Sequence, residues 1–205
     1  MLRRRPETGE KAWDLLQWGL IPHWARDRAS PQLHARSETA HELPSFRGPF
    51  ARRRCLVAAD RFVEFRTIGR PKGQEVAFGL VTGRSFAVAA IWDTWRNPET
   101  DEWLQTFAEW TVDAKDFIGE MHDRMPAILP PEAWPVWLGD TPALVGVARP
   151  AATVPARSAD VLVGYREAAA GWAAAQAERH ATAATGEFEA AAAGLHSIAP
   201  EGDTP

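Results

Sequence analysis

Short apolar runs separated by polar, Gly- and Pro-containing breaks mark strands along the first 140 residues. "LLQWGLIP" (15–22) reads as a strand entering a turn at Pro22. "RCLVAADRFVEF" (54–65) is rich in strand formers in its first half and alternates in its second. That alternation puts Phe62, Glu64 and Arg66 on one face and Val63 and Phe65 on the other. If Phe62 packs inward, Glu64 points the same way, and a carboxylate faces a core or a cleft. "EVAFGLV" (75–81) and "SFAVAAIWDTW" (85–95) read as two strands around a Thr-Gly-Arg turn, and "TFAEWTV" (106–112) as another. Asp113 and Asp116 offer N-caps for a short helix running toward Met121. "PPEAWPVWL" (130–138) predicts a helical turn or two with a proline at its first position.

Beyond residue 140 the pattern changes. "ATVPARSAD" has linker composition, "YREAAAGWAAAQAERHATAA" (165–184) has high helix propensity despite Gly171, and "SIAPEGDTP" predicts disorder. Strands interleaved with short helices, without regular βα alternation, predict an α+β domain over residues 1–140. Residues 141–205 are expected to form a linker and an Ala-rich helical tail, partly disordered.

Composition narrows the class. At 45% hydrophobic and 24% charged residues the chain is of ordinary globular type. No apolar run approaches the roughly 18 residues of a membrane span, and the opening "MLRRRPETGE" is followed by no apolar stretch of the secretory kind. Cys55 is the single cysteine, which excludes an intrachain disulfide and a thiolate-rich zinc site and fits a reducing cytoplasm. Ten tryptophans suit a core, or a surface on which bases stack. The net charge of −4 hides an asymmetry, +7 over residues 1–72 and −11 over 73–205. The basic portion reads either as a surface for a phosphate-bearing ligand or as a solvated face.

The candidate chemistry centres on "MHDRMPAILP" (121–130). His122 suits proton transfer near neutral pH, or is a histidine capped in a core turn. Glu64, on the Phe62 face, is a carboxylate that needs a partner if buried. Arg36 and Arg124 carry forked guanidinium groups fit to clamp phosphate, or they form surface ion pairs. His34 precedes Arg36 by two positions and shares its side of an extended strand. In "WGLIPHW" the rings of Trp18 and Trp24 accompany Gly19, where another backbone or a ligand could come close. There is no Gly-rich phosphate loop, zinc spacing or GxSxG elbow, so no cofactor and no metal are expected.

Taken in order, "WGLIPHWARD", "HARSETA", "RRRCLVAADRFVEF", "FAVAAIWDTW" and "MHDRMPAILPPEAWPVWL" resemble the successive motifs of the SRAP-domain family, the SOS response-associated peptidases or abasic-site processing proteins. The resemblance runs from about residue 3 to 139. It implies a mixed, largely antiparallel, barrel-like sheet with flanking short helices around a cleft for single-stranded DNA. It also implies abasic-site processing by DNA–protein crosslinking and lyase-type chemistry, with an associated self-peptidase activity. In the family a cysteine directly after the initiator Met is the nucleophile, its α-amine and thiol condensing with the abasic aldehyde. By the same resemblance Glu64 and His122 move protons, and His34 occupies the asparagine position of an Asn-Ala-Arg motif at the catalytic centre. Arg36 falls on the arginine that contacts DNA phosphate, Trp18 and Gly19 on the pair lining the DNA channel, and Arg124 and Thr111 on positions near the site. A monomer in the cytoplasm, associated with the nucleoid and not with membranes, is the expected setting.

The departures from the family pattern carry their own expectations. Position 2 is Leu, and the segment that precedes the tryptophan–glycine pair in the family is missing from the sequence. The chain is therefore expected to start at an internal Met of a longer reading frame. The alternative is a truncated, catalytically impaired relative that still binds single-stranded DNA. Ala58, Arg61, Val63 and Phe65 replace the proline, glycine and aromatics that usually flank the glutamate, and Lys115 stands where an asparagine is common. Cys55, in an apolar strand, is expected to be a core residue and not a replacement nucleophile.

Overall fold

The computed structural model describes residues 1–28, 30–69, 73, 75–80 and 83–140. The linker and Ala-rich tail expected over 141–205 lie outside the described residues. The larger of two sheets is built on β5 (Arg54–Ala59), β8 (Phe86–Arg96) and β9 (Trp103–Asp113), antiparallel neighbours in that order. The hairpin of β1 (Leu2–Arg4) and β2 (Lys11–Trp13) extends it beyond β5. On the other side β9 takes β3 (Gln17–Trp18) and β4 (His34–Arg36) in parallel and β10 (Arg124–Pro126) antiparallel, while β11 (Ile128–Leu129) pairs with β8. Ala127 joins these last two strands. Its N–H donates to the Trp110 carbonyl at 2.8 Å, and its own carbonyl accepts from Ala89 N–H at 2.9 Å.

Alternation divides this sheet into two faces. Leu56, Ala89, Ile91, Ala108 and Trp110 bury one of them against α1 (Pro44–Arg52) and α3 (Trp134–Leu138), through Phe46, Phe50, Trp134 and Trp137. Cys55, Ala90, Trp92 and Phe107 form an apolar cluster on the opposite face. The indole N–H groups buried at α3 are satisfied, Trp134 by the Leu129 carbonyl and Trp137 by the Cys55 carbonyl, each at 2.9 Å. Five of the tryptophans (92, 95, 110, 134 and 137) are buried, so the core claims most of the aromatic content that could be placed.

The second sheet is the ribbon of β6 (Arg61–Phe65) and β7 (Glu75–Gly79). The alternation read from the sequence holds: Phe62, Glu64 and Arg66 are turned inward, whereas Arg61, Val63 and Phe65 are exposed. Phe62, Val76 and Phe78 pack on Ile118, Met121 and Met125, which seats the ribbon over the segment that carries His122.

Several expectations are corrected. The strands on either side of the Thr-Gly-Arg turn do not pair with each other; β7 pairs with β6, and β8 with β5 and β9. The run at 15–22 contributes only the two residues of β3. The short helix α2 (Asp116–Gly119) starts after Lys115, which provides no side-chain cap. Helix α1 went unread, because Gly48 and Pro49 have the look of helix breakers although Pro44 sits at its favoured first turn. The sheet is mixed and largely antiparallel, but it is not a closed barrel: β10 and β2 end the strand order without pairing to one another. No helix among the described residues is long and apolar enough to cross a membrane.

The loop after β3 is fixed on its buried side. Thr106, fully buried on β9, accepts a hydrogen bond from Ile21 N–H through Oγ1 at 2.9 Å. Asp93 accepts from His23 N–H at 3.1 Å, and Trp95 Nε1 donates to the Ala25 carbonyl at 2.7 Å. Thr106→Val keeps the side-chain shape and strands the Ile21 N–H. Urea unfolding is expected to show a loss of about 1–3 kcal/mol relative to the parent.

Candidate functional site

Three rungs of the sheet place six side chains beside one another. Trp18 lies opposite Phe107, His34 opposite Glu109 and Arg36 opposite Thr111 along the parallel pairings of β3 and β4 with β9. Ala35 and Trp110, one position out of phase, point into the core, so His34 and Arg36 share the other side as their spacing requires. The Trp18 ring stacks on Phe107 with an interplanar angle of 19° and meets His34 edge-on at 5.6 Å, while its Nε1 donates to the Leu33 carbonyl at 3.0 Å. Trp18 is nonetheless 47% exposed, and Trp24 56%. Gly19 serves the chain more than a ligand. Its φ of +103° is left-handed, and a Cβ there would stand 2.8 Å from Pro31 Cβ.

Glu64 and His122 converge. The Met121 carbonyl accepts from Thr67 N–H at 2.8 Å and Ile68 N–H at 3.0 Å, tying the His122 segment to the chain that leaves β6. The imidazole Nε2 then stands 3.6 Å from Glu64 Oε2, with the two side chains 22% and 25% exposed, enclosed but open to solvent. His122 Nδ1 lies 3.0 Å from the Arg124 carbonyl and 3.1 Å from Arg124 N–H. Either backbone contact leaves Nε2 directed at Glu64. Burial pushes the Glu64 carboxyl above its ordinary range; His122 opposes the shift and the charge of Asp123 adds to it. Both readings of His122 keep a counterpart in the geometry, Nδ1 on the backbone of its own turn and Nε2 toward Glu64.

Arg124 is committed within the protein. Its guanidinium bonds both oxygens of Glu38 at 3.1 Å, Asp113 at 2.5 Å and the Thr111 carbonyl at 2.8 Å. It braces β10 and the His122 loop, and it is not a free phosphate clamp. Much of the basic N-terminal portion is likewise ion-paired: Arg3 and Arg5 pair with Asp14, Arg4 and Lys11 with Asp140, and Arg53 with Asp93. Arg36 is different. It is exposed and carries no ion pair among the described residues.

Sequence reasoning missed Glu109. It shares a face of β9 with Phe107 and Thr111, and that phase in "TFAEWTV" was the available signal. Its Oε2 lies 3.9 Å from His34 Nε2, and burial, with the Glu64 charge adding, raises its carboxyl to about 7. Burial lowers the His34 imidazole, helped by the charge of His122. Among the described residues no group of three or more His, Cys, Asp or Glu is arranged to hold a metal ion. Cys55 is fully buried and its thiol is pushed up to about 12, so it is a core cysteine.

The class is that of an open, largely antiparallel sheet that bears an enclosed carboxylate–imidazole pair. The profile of the SOS response associated peptidase (SRAP) family matches residues 1–161, and the chain belongs to that family. It is 36% identical over 125 residues to the Bacillus subtilis abasic site processing protein YoqW, an overlap of 60% of this chain and 55% of that protein. It is 30% identical over 156 residues to the chicken abasic site processing protein HMCES, covering 64% of this chain and 46% of the relative. The chain thus spans about half the length of the curated relatives it matches. A Bordetella bronchiseptica protein of known crystal structure superposes with a TM-score of 0.66 at 27% identity, over 81% of this chain and 83% of that one. A Bacteroides thetaiotaomicron structure gives 0.56 at 33% identity, over 60% and 56%.

The raised Glu109 carboxyl makes stability depend on pH. Between the unfolded value of 4.5 and about 7 the folded state binds more protons than the unfolded state, so stability falls as pH rises through that window. The full loss, up to about 3 kcal/mol, is present above it. Glu109→Gln is expected to be near neutral at pH 5 and stabilising at pH 8, measured by urea unfolding at the two values.

Proposed function

We propose that this chain processes abasic sites in single-stranded DNA, with Glu64 and His122 exchanging protons with the exposed sugar. The observation that carries the reading is the 3.6 Å approach of Glu64 Oε2 to His122 Nε2 in a hollow that solvent reaches. An abasic sugar differs from an intact nucleotide in its free aldehyde and in the acidic C–H beside it. With Nδ1–H donated to the Arg124 carbonyl, His122 Nε2 is the base that takes that C–H proton. The electron pair left behind forms a C=C bond as the adjacent C–O bond to phosphate breaks, and the phosphate departs with its electrons. Glu64, whose carboxyl burial pushes above its ordinary range, supplies a proton to the aldehyde oxygen where negative charge gathers.

Strand binding is supported by the same surface. The exposed rings of Trp18 and Trp24 offer faces to unpaired bases, and Arg36, without an ion pair among the described residues, offers its guanidinium to phosphate. The edge-on contact of His34 with Trp18 and its shared side with Arg36 support its reading as a further contact to the strand. The names of the relatives, abasic site processing proteins, support DNA with abasic sites as the substrate.

A second reading has one observation in its favour. Cys55, the single cysteine of the sequence, is sealed in the sheet and offers no accessible thiol to a crosslink or a self-peptidase step. On this reading the polypeptide grips the strand and forms no covalent adduct.

A fluorescein-labelled single strand bearing one abasic site separates the two. Cleavage or adduct formation that falls about 10²-fold in His122→Ala and in Glu64→Gln, with binding kept, supports the enzyme. Binding with neither product in the parent supports the second reading. Arg36→Ala is expected to lower the slope of log affinity against log salt by about 0.7, and an unchanged slope removes Arg36 from the DNA face.

A further inference from the structure

We propose that Glu38 is a positioning residue for His122, acting through the Arg124 guanidinium that it clamps from the turn after β4. The inference deepens the proposed function and rests on reading His122 as the base of the site.

The backbone builds the turn. Ser37 N–H donates to the Thr111 carbonyl at 2.9 Å, which carries the β4–β9 pairing one residue further, and Ala40 N–H closes back on the Arg36 carbonyl at 2.8 Å. Ala40 is fully buried, so the turn is pinned at that end while Glu38 stays on its outside. From there both carboxylate oxygens meet Arg124, Oε1 with Nη1 and Oε2 with Nη2, each at 3.1 Å. Ser37 Oγ donates to Oε1 at 2.7 Å and steadies the same carboxylate. Burial presses the Glu38 carboxyl upward, but the bonds from Arg124 and Ser37 outweigh it and hold the group below its ordinary range.

No other contact of Arg124 does the same work. Asp113 bonds it through one oxygen, is 80% exposed, and is already its rung partner on β9, so that contact joins two strands the ladder has joined. Glu38 ties β10 to the end of β4, across 86 positions of chain. Two parallel N–H···O bonds fix the plane of a guanidinium as one bond does not. The Arg124 Nε is buried with no partner among the described residues, so the two Nη groups alone orient the head. Nη2 also donates to the Thr111 carbonyl at 2.8 Å, and the turn, β9 and β10 meet on that oxygen.

What the clamp fixes is the peptide beside the imidazole. His122 Nδ1 lies 3.0 Å from the Arg124 carbonyl oxygen and 3.1 Å from the Arg124 nitrogen, so a small movement of that residue chooses between them. The choice is a tautomer. If Nδ1–H donates to the carbonyl, Nε2 faces Glu64 with its lone pair and is a base; if Nδ1 accepts from the N–H, Nε2 carries the proton. Contact is continuous from Glu38 through Arg124 to His122 and Glu64, with no step longer than 3.6 Å. Glu38 touches no reacting atom. It holds Arg124 where one tautomer of His122 is favoured.

Long-range 1H–15N NMR of the full chain labelled at histidine reads the tautomer at pH 8, with His122→Gln used for assignment. The parent should show one neutral form of His122. Glu38→Gln, which keeps the length of the side chain and loses its charge, should show both, and Glu38→Asp, which keeps the charge, should return toward one. On the abasic strand kcat should fall on the order of tenfold in Glu38→Gln with KM unchanged, and recover in part in Glu38→Asp. Mixed forms already in the parent, or an unmoved tautomer in Glu38→Gln, overturn the inference. Tighter strand binding in Glu38→Gln with the tautomer unmoved overturns it too, and makes Glu38 the holder of a phosphate position on Arg124. If the variants fail to fold, the parent decides: separately resolved Nη–H resonances of Arg124 support the clamp, and a single averaged resonance overturns it. The tautomer is read without DNA. A single Nε2–H form in the parent that mixes in Glu38→Gln therefore keeps the inference and rejects His122 as the base, whereas His122-dependent cleavage with an unmoved tautomer does the reverse.

Discussion

The site depends on the backbone of β9. This one strand exchanges hydrogen bonds with β8, β3, β4 and β10, and its residues cannot slip by one position without exchanging both faces of the sheet at once. Ala108 and Trp110 belong to the main core, and Phe107, Glu109 and Thr111 to the opposite side. Register on β4 follows by parallel pairing, which puts His34 and Arg36 beside Glu109 and Thr111. The energy that aligns the polar face is thus the burial of the apolar one. Trp110, stacked on Phe50 at 4.7 Å and edge-on to Trp137 at 5.6 Å, anchors the arrangement from beneath.

The other half of the hollow arrives by different physics. The β6–β7 ribbon has too few strands to be stable alone, so it must lay its Phe62–Phe78 face on something. The surface it finds is Ile118, Met121 and Met125, the segment on either side of His122. Glu64 comes along because it shares the phase of Phe62. Two residues 58 positions apart in the chain are brought together by apolar packing that neither of them takes part in.

That history explains what was legible beforehand. The phase of Glu64 and the common side of His34 and Arg36 follow from strand alternation alone, and both hold. The strands of the central sheet were visible as apolar runs, but their partners were not, since pairing is a long-range choice that local pattern does not encode. Hence β7 and β8 looked like neighbours and are not. Glu109 was passed over because its phase in an apolar strand tells which face it shares and not what lies opposite; that appears only when β4 is laid beside it. Arg124 shows the converse. It has the composition of a ligand-binding residue, yet Glu38 and Asp113, 86 and 11 positions away, already occupy it.

The thiol of Cys55 has a use apart from chemistry. It sits near the start of β5, paired on both sides, packed with Ala90, Trp92 and Phe107, and its backbone carbonyl holds Trp137 from the opposite face. Alkylating reagents can meet it only after β1 or β8 has peeled from β5. The chain therefore carries its own tracer for sheet opening, one atom whose labelling rate reports breathing of the sheet.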